Sequence, residues 1–425
     1  MKIHIKNGRL IDPASGTDAR KDLYIAAGKI AGIGNAPAGF SANRTIDAAG
    51  LIVCPGLVDL AVRLREPGFE YMATLETEMG AAAAGGVTSL ACPPDTDPPL
   101  DEPGLVEMLK FRARNLHQSH VYPVGALSVG LKGARLTEMA ELTEAGCVAF
   151  SHADAPLNDH QLLFRALQYA ATFDFPVWLR PQDAALARGG VAHDGQVATR
   201  LGLPAIPVTA ETVALSTILL LTQATGARVH LCRLSSAEAV QMVREAKLRG
   251  LRVTCDVAIH HAHLSEMDIG YFDANCHLTP PLRSQRDRDA LRAALVDGTA
   301  DALCSDHTPV DEDAKQLPFG EAESGATGVE LLLPLALKWA EESRLPLAQG
   351  LSRITSEAAR VLGVDAGHID NGATADLCIF DPERYWKVGP DTLKSLGKNT
   401  PFNGIELKGR VRYTLVDGQL IYESA

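Results

Sequence analysis

Three arginines and one aspartate mark where this chain has the means to do chemistry. Arg63, Arg180, Arg233 and Asp306 each stand at the carboxyl end of a different apolar, strand-like run, as do Arg65, Asp95 and the stretch Ser151-His152-Ala153-Asp154. Guanidiniums stay protonated and offer donors but no lone pair. Brought together, they would hold an anion and repel a cation. A carboxylate left alone beside them in a cavity would be a costly buried charge, so one or more guanidiniums are expected to pair with Asp306. His260, His261 and His263 follow another run and have the look of a ligand cluster, but structural roles are the expectation. His152 and His307 with Asp306 would make an improvised mononuclear site, which three nearby positive charges oppose. His193 and His230 read as ordinary surface and barrel positions. Cys232 lies beside Arg233, a neighbour that can lower a thiol pKa. No paired base adjoins it, and a buried core thiol is expected.

These residues need a scaffold. From residue 57 onward, eight apolar runs (57–64, 87–93, 121–128, 147–152, 177–181, 228–235, 253–260 and 300–306) alternate with helical patterns over 103–119, 159–173, 210–226, 236–250 and 284–298. Strands that read as continuous apolar runs, separated by helices, predict a parallel sheet buried on both faces. Eight such units predict an α/β fold, a closed (β/α)₈ TIM barrel, whose reactive residues cluster at the carboxyl ends of the strands. A doubly wound open sheet is the alternative, but no Gly-x-Gly-x-x-Gly follows an early strand. The ends of the chain differ in style. Short alternating runs over 2–6, 22–25, 29–33 and 45–47 resume over 375–380, 409–416 and 419–422. The expectation is one β-sandwich domain built from 1–54 and 371–425 around a barrel domain spanning 55–370. The segment 309–327 reads as a long loop and a lid candidate.

Bulk properties narrow the setting. The chain has 425 residues, 46% of them hydrophobic, and a net charge of −12, which offers nothing basic enough for nucleic acid or an anionic membrane. No apolar run approaches the roughly 20 residues of a bilayer span. The start alternates like a strand and lacks a signal-peptide core, so cytoplasm is the expected address. Eight cysteines, none in C-x-x-C spacing, read as reduced thiols.

Several motifs together carry a family resemblance. They are Pro55-Gly56-Leu57-Val58-Asp59, Leu64-Arg65-Glu66-Pro67-Gly68, Gly85-Gly86-Val87-Thr88, Thr279-Pro280-Pro281-Leu282-Arg283, Ser305-Asp306-His307-Thr308-Pro309, residues 325–330, and Asn399-Thr400-Pro401-Phe402-Asn403-Gly404. Over nearly its whole length the chain resembles dihydroorotases of the amidohydrolase superfamily. The resemblance implies a zinc site, and its ligand positions here are altered. The first-strand His-x-His is Ala61 and Arg63, the aspartate after strand four is Ala153, and the histidines of strands five and six are Arg180 and Arg233. Asp306 alone remains of the ligand set. The family's substrate-binding arginine is kept as Arg65, and its neighbouring asparagine is Asp95, whose charge would repel an anionic substrate.

Two expectations follow from the resemblance, and a third from charge. The first is a non-catalytic dihydroorotase homologue of pyrimidine biosynthesis, without metal or other cofactor, forming an assembly with the catalytic subunit of aspartate carbamoyltransferase as a homodimer or larger hetero-oligomer. On that reading Asp306, Arg65 and Asp95 are vestigial. The second is an active cyclic-amide hydrolase, dihydroorotase, hydantoinase or allantoinase in type, with a reorganised metal site. The third is a sensor that binds an anionic metabolite among the arginines.

Overall fold

A computed structural model describes residues 1–424 and contains the eight-stranded parallel sheet. Its strands are β1 (Leu57–Asp59), β2 (Val87–Cys92), β3 (His120–Ala126), β4 (Ala149–Ser151), β5 (Pro176–Leu179), β6 (Arg228–Leu231), β7 (Val253–Ala258) and β8 (Ala302–Cys304), each beside its predecessor. Just past the strand ends the ring closes. Arg63 donates its backbone N–H to the His307 carbonyl, and His307 donates to Ala61, both at 2.9 Å. The closure sets Arg63 and Asp306 side by side.

The strands form where they do because both faces are covered. Val58, Leu60, Ala91, Val124, Trp178, Ala258 and Cys304 fill the barrel, and the helix Ser356–Leu362 packs on that core through Ala358, Ala359 and Leu362. A second, larger apolar shell joins the strands to the outer helices. The helices start at their sequence signals. Asp159 accepts from the backbone of Gln161 and Leu162, Ser236 from Ala239, and Ser284 forms a capping box with Asp287. Each such cap contributes about 1 kcal/mol. One helix, Val208–Thr225, is long and apolar enough to cross a membrane by composition alone. Here it packs between the helices His160–Phe173 and Ala237–Leu248 as part of the barrel's outer layer.

The regular strands are shorter at their carboxyl ends than the apolar runs. Arg65, Ala153, Arg233 and Asp306 have φ of +62°, +49°, +54° and +48°, a left-handed region that side chains other than glycine seldom adopt. Each breaks the ladder at the mouth and redirects the chain there. Such strain clusters at functional sites.

Strands from both ends of the chain make two further sheets. A six-stranded sheet runs in the order Gln419–Glu423, Glu406–Val416, Leu377–Lys387, Ile52–Pro55, Arg9–Asp12, Thr17–Arg20. A four-stranded sheet holds Lys29–Ile33, Leu23–Ala26, Lys2–Lys6 and Arg44–Asp47. Ile3, Ile25, Leu10, Val53, Ile379 and Leu415 share one buried core. The hairpin of Arg9–Asp12 and Thr17–Arg20 has no counterpart in the sequence reading. Its second strand is too polar to show period-two alternation, and the Asp12 carboxylate builds the turn by accepting from Ala14 and Ser15. Gly86, at φ +81°, joins this sheet to the barrel: a Cβ there would lie 2.5 Å from Cys378 Sγ.

The segment 309–327 is tied down. It contains a short helix, Glu312–Lys315, and buries Phe319 against His277. The Asn399 side chain donates to the Thr308 and Gly325 carbonyls at 3.0 Å each and accepts from Val310.

Asp59 ends β1 fully buried. Its Oδ1 accepts from Ser305 and Ala61, while Oδ2 has no hydrogen-bond partner among the described residues. Burial raises its pKa to about 6. The folded pKa lies above the unfolded value of about 3.9, so the folded chain holds the proton more tightly. This contribution is full below about pH 4 and is lost as pH rises through about 6. Asp59→Asn therefore gains on the wild type as pH rises, by about 3 kcal/mol at neutrality, read from urea midpoints at acid and neutral pH. A difference that stays flat with pH would refute the assignment.

Candidate active site at the barrel mouth

The three arginines converge. Arg63 donates from Nε to Asp95 Oδ2 at 2.8 Å, from Nη2 to Asp154 Oδ2 at 2.6 Å and from Nη1 to Thr308 Oγ1 at 2.9 Å. Arg233 donates to Asp154 Oδ1 at 2.6 Å and to Asp306 Oδ1 at 2.8 Å. Arg180 donates to Asp154 Oδ1 and to Gln182 Oε1. Arg63 also reaches Asp306 Oδ1 at 3.4 Å. The pairing expected of Asp306 is thus present. Three guanidinium charges face three carboxylates, Asp95, Asp154 and Asp306, so the cluster is neutral as a unit.

The carboxylates differ in protonation. Burial pushes Asp154 up, but Arg233, Arg180 and Arg63 outweigh it and hold the group far below the usual range. Asp306 is shifted the other way. Burial raises it, and the pull of Arg233 and Arg63 only partly offsets that. One acid is locked as an anion and its neighbour is poised to take a proton, a division typical of reactive sites.

Asp154 is a site residue that the sequence does not single out, because its neighbour Ala153 takes the family's ligand position. The available signal was charge balance: three converging guanidiniums need more than one carboxylate. Asp95 is also corrected. Its carboxylate is spent on Arg63, so it does not stand as a free negative charge against a substrate. Ala61 lines the small cavity inside the mouth. Arg65 lies outside the cluster, donates to the Pro309 carbonyl at 2.8 Å and reaches Glu323 at 3.9 Å. The improvised His152, His307 and Asp306 site does not form. His152 bonds Ser128 and Ala155, and His307 bonds Glu78 at 2.6 Å. His261 and His263 meet the Pro280 and Leu335 carbonyls, and His260 stacks on Phe402. His193 is buried rather than a surface residue. All eight cysteines are free, and burial raises the Cys232 thiol well above its usual range.

The sequence and the fold have relatives of known name. Residues 50–239 match the family model described as dihydro-orotase-like, and residues 202–421 match that of the amidohydrolase family. A protein of Pseudomonas aeruginosa named dihydroorotase-like protein is 48% identical over the full length of both chains. The dihydroorotase of a Geobacter species is 41% identical, again over all of both. The chain belongs to the dihydroorotase-like amidohydrolases. Among solved structures, the L-hydantoinase (dihydropyrimidinase) of Arthrobacter aurescens superposes with a TM-score of 0.88 at 25% identity, over 99% of this chain and 96% of that one.

Family membership corrects two expectations. A non-catalytic chain is overturned by relatives that carry the name dihydroorotase over the whole length and by the hydantoinase likeness. The altered ligand positions mark a changed site, and they do not remove the chain from an enzyme family. A chain without metal is overturned as well, since this amidohydrolase contains groups with metal-ligand chemistry. The positions of the family's usual cluster do not fit a cation, because Arg63, Arg180 and Arg233 occupy them and repel it. A deeper group has metal-ligand chemistry. His230 and Cys232 are two residues apart, and with Asp256 they bring ligand atoms within 4.8 Å of one another. Imidazole, thiolate and carboxylate are a zinc donor set, and three of them leave one position open. Cys232 and Asp256 line a cavity of about 30 Å³, enough for one water, whose walls also include Arg63, Arg180 and Arg233. A second group, His120 with Asp376 and Asp417, lies at the opposite end of the barrel, where His120 opens β3.

Proposed function

We propose that this dihydroorotase-like amidohydrolase opens a ring amide of the dihydropyrimidine or hydantoin class. The observation that carries this reading is Asp306. It stands buried at the end of the last barrel strand, with its pKa raised, beside the guanidiniums of Arg63 and Arg233. Its carboxylate takes a proton from the attacking water and returns it to the departing ring nitrogen, which leaves a ring-opened carboxylic acid whose freed nitrogen is the terminal NH2 of a ureido group. Arg63 and Arg233 face the same space and stabilise negative charge developing on the carbonyl oxygen. A cation held by His230, Cys232 and Asp256 would supply an acidified water. Closure of the ring between residues 61–63 and 307 keeps Arg63 and Asp306 in register.

The test is ring opening of dihydroorotate, dihydrouracil, hydantoin and allantoin by protein purified with zinc present. Turnover of at least one is expected. No turnover of any of the four by metal-replete protein refutes the reading. On the same samples, Cys232→Ser is expected to lose zinc affinity at least tenfold by equilibrium dialysis. Unchanged affinity would move the cation away from that group.

A further inference from the structure

Asp154 is bound in an unusual way for a residue of a loop. Its one carboxylate collects Arg63 Nη2 and Arg233 Nη2, both at 2.6 Å, together with Arg180 Nε. A carboxylate has about four lone-pair sites, and this one is saturated with charged donors. The donors are fixed, since the Arg63, Arg180 and Arg233 side chains are only 7%, 5% and 6% exposed. Asp154 itself is 30% exposed, so it closes the cluster from the solvent side.

Apart from these three guanidiniums, its attachment is through a short turn. Asp154 follows Ala153, strained at φ +49°, and belongs to a turn closed by Ala155 N–H to the His152 carbonyl at 3.1 Å. His152 anchors the base of that turn on Ser128 at 2.8 Å. Beside the turn lies a cavity of about 230 Å³, lined by Asp154, Leu157, Arg180, Gln182, Val213 and others. The carboxylate therefore has somewhere to go without moving β4 or its neighbours.

We propose that Arg63, Arg180 and Arg233 form a binding site for the carboxylate of a small anionic ligand, and that Asp154 is an internal occupant that such a ligand displaces. Charge fixes the class. With Asp154 withdrawn, three guanidiniums face Asp95 and Asp306, and one positive charge is left. The site then takes one carboxylate, on a ligand small enough for the adjoining cavity. Asp154 acts as a built-in competitor, so affinity for the ligand is reduced by the fraction of time the site is self-filled. The proposal concerns binding and does not rest on hydrolysis.

The test uses orotate, a planar ring acid with no dihydro ring amide to open, and uracil, the same ring without the carboxylate. Calorimetry on the full chain is expected to give weak orotate binding and none for uracil. Asp154→Ala removes the competitor, and orotate is expected to bind at least tenfold tighter while uracil stays silent. Should the alanine variant not fold, Asp154→Asn keeps the shape without the charge and is expected to tighten orotate in the same direction. Arg180→Gln is expected to weaken orotate tenfold or more. Orotate binding that is unchanged or weaker in the folded Asp154 variants, or uracil binding that tightens equally, overturns the proposal.

Discussion

Asp306→Asn lowers ring-opening turnover by about 10²–10⁴-fold, the range for loss of a positioned acid–base group. Asparagine keeps an oxygen where Asp306 Oδ1 receives Arg233 at 2.8 Å, but it cannot carry a proton. The effect falls on kcat more than on KM, because the lost interaction belongs to the reacting state. The wild-type rate falls off on the acid side, as Asp306, raised by burial against the pull of Arg233 and Arg63, becomes protonated and can no longer accept. The asparagine variant loses that limb of the profile. Steady-state kinetics across pH, with a thermal midpoint as a check on folding, decides the matter. A variant within tenfold of wild type would remove Asp306 from proton transfer.

Arg233→Met costs about 3–5 kcal/mol of stability, the range for breaking a buried ion pair on one side. Its guanidinium is the cation shared at short distance by Asp154 and Asp306, at 2.6 and 2.8 Å. Without it, Asp306 keeps only the 3.4 Å contact to Arg63 and lies 7% exposed with its charge poorly met. Urea denaturation measures the loss. The double variant Arg233→Met with Asp306→Asn is expected to lose less than the two single changes added together, since the orphaned charge is gone. The exposed pair Arg44–Glu423, with side chains 39% and 48% exposed, serves as the contrast. Breaking it is expected to cost less than about 1 kcal/mol. Equal losses at the two sites would mean that the mouth cluster is no more coupled than a surface pair.

The barrel was legible because its strands bury both faces and its helices announce their starts. Runs such as 253–260 read as strand from apolar content alone, and Asp159, Ser236 and Ser284 stand as caps where the helices begin. The strand ends were not legible. The left-handed residues Ala153, Arg233 and Asp306 interrupt the ladder by a backbone choice that no residue type among them advertises. The convergence of Arg63, Arg180 and Arg233 followed from the barrel rule, whereas Asp154 required counting charges across the mouth. The step from altered ligand positions to an inactive, metal-free protein failed for a chemical reason. Losing the usual ligands says where a cation is not held. His230 and Cys232, one layer deeper, have the character of ordinary barrel and core residues, and Asp256 is hidden inside the apolar run 253–260, so none of the three stands out alone.

The pairing of Ile52–Pro55 with Leu377–Lys387 has a consequence for how the molecule is made. Cys54 and its partner Cys378 are 324 residues apart. A ribosome delivers the first strands long before the ones that cover them, and at about 5–20 residues per second that interval lasts tens of seconds. During it, Ile52 and Val53 expose an apolar edge on a nascent chain whose barrel is still incomplete. Crowding by neighbouring chains, or a premature stop near residue 370, would leave that edge as a seed for aggregation.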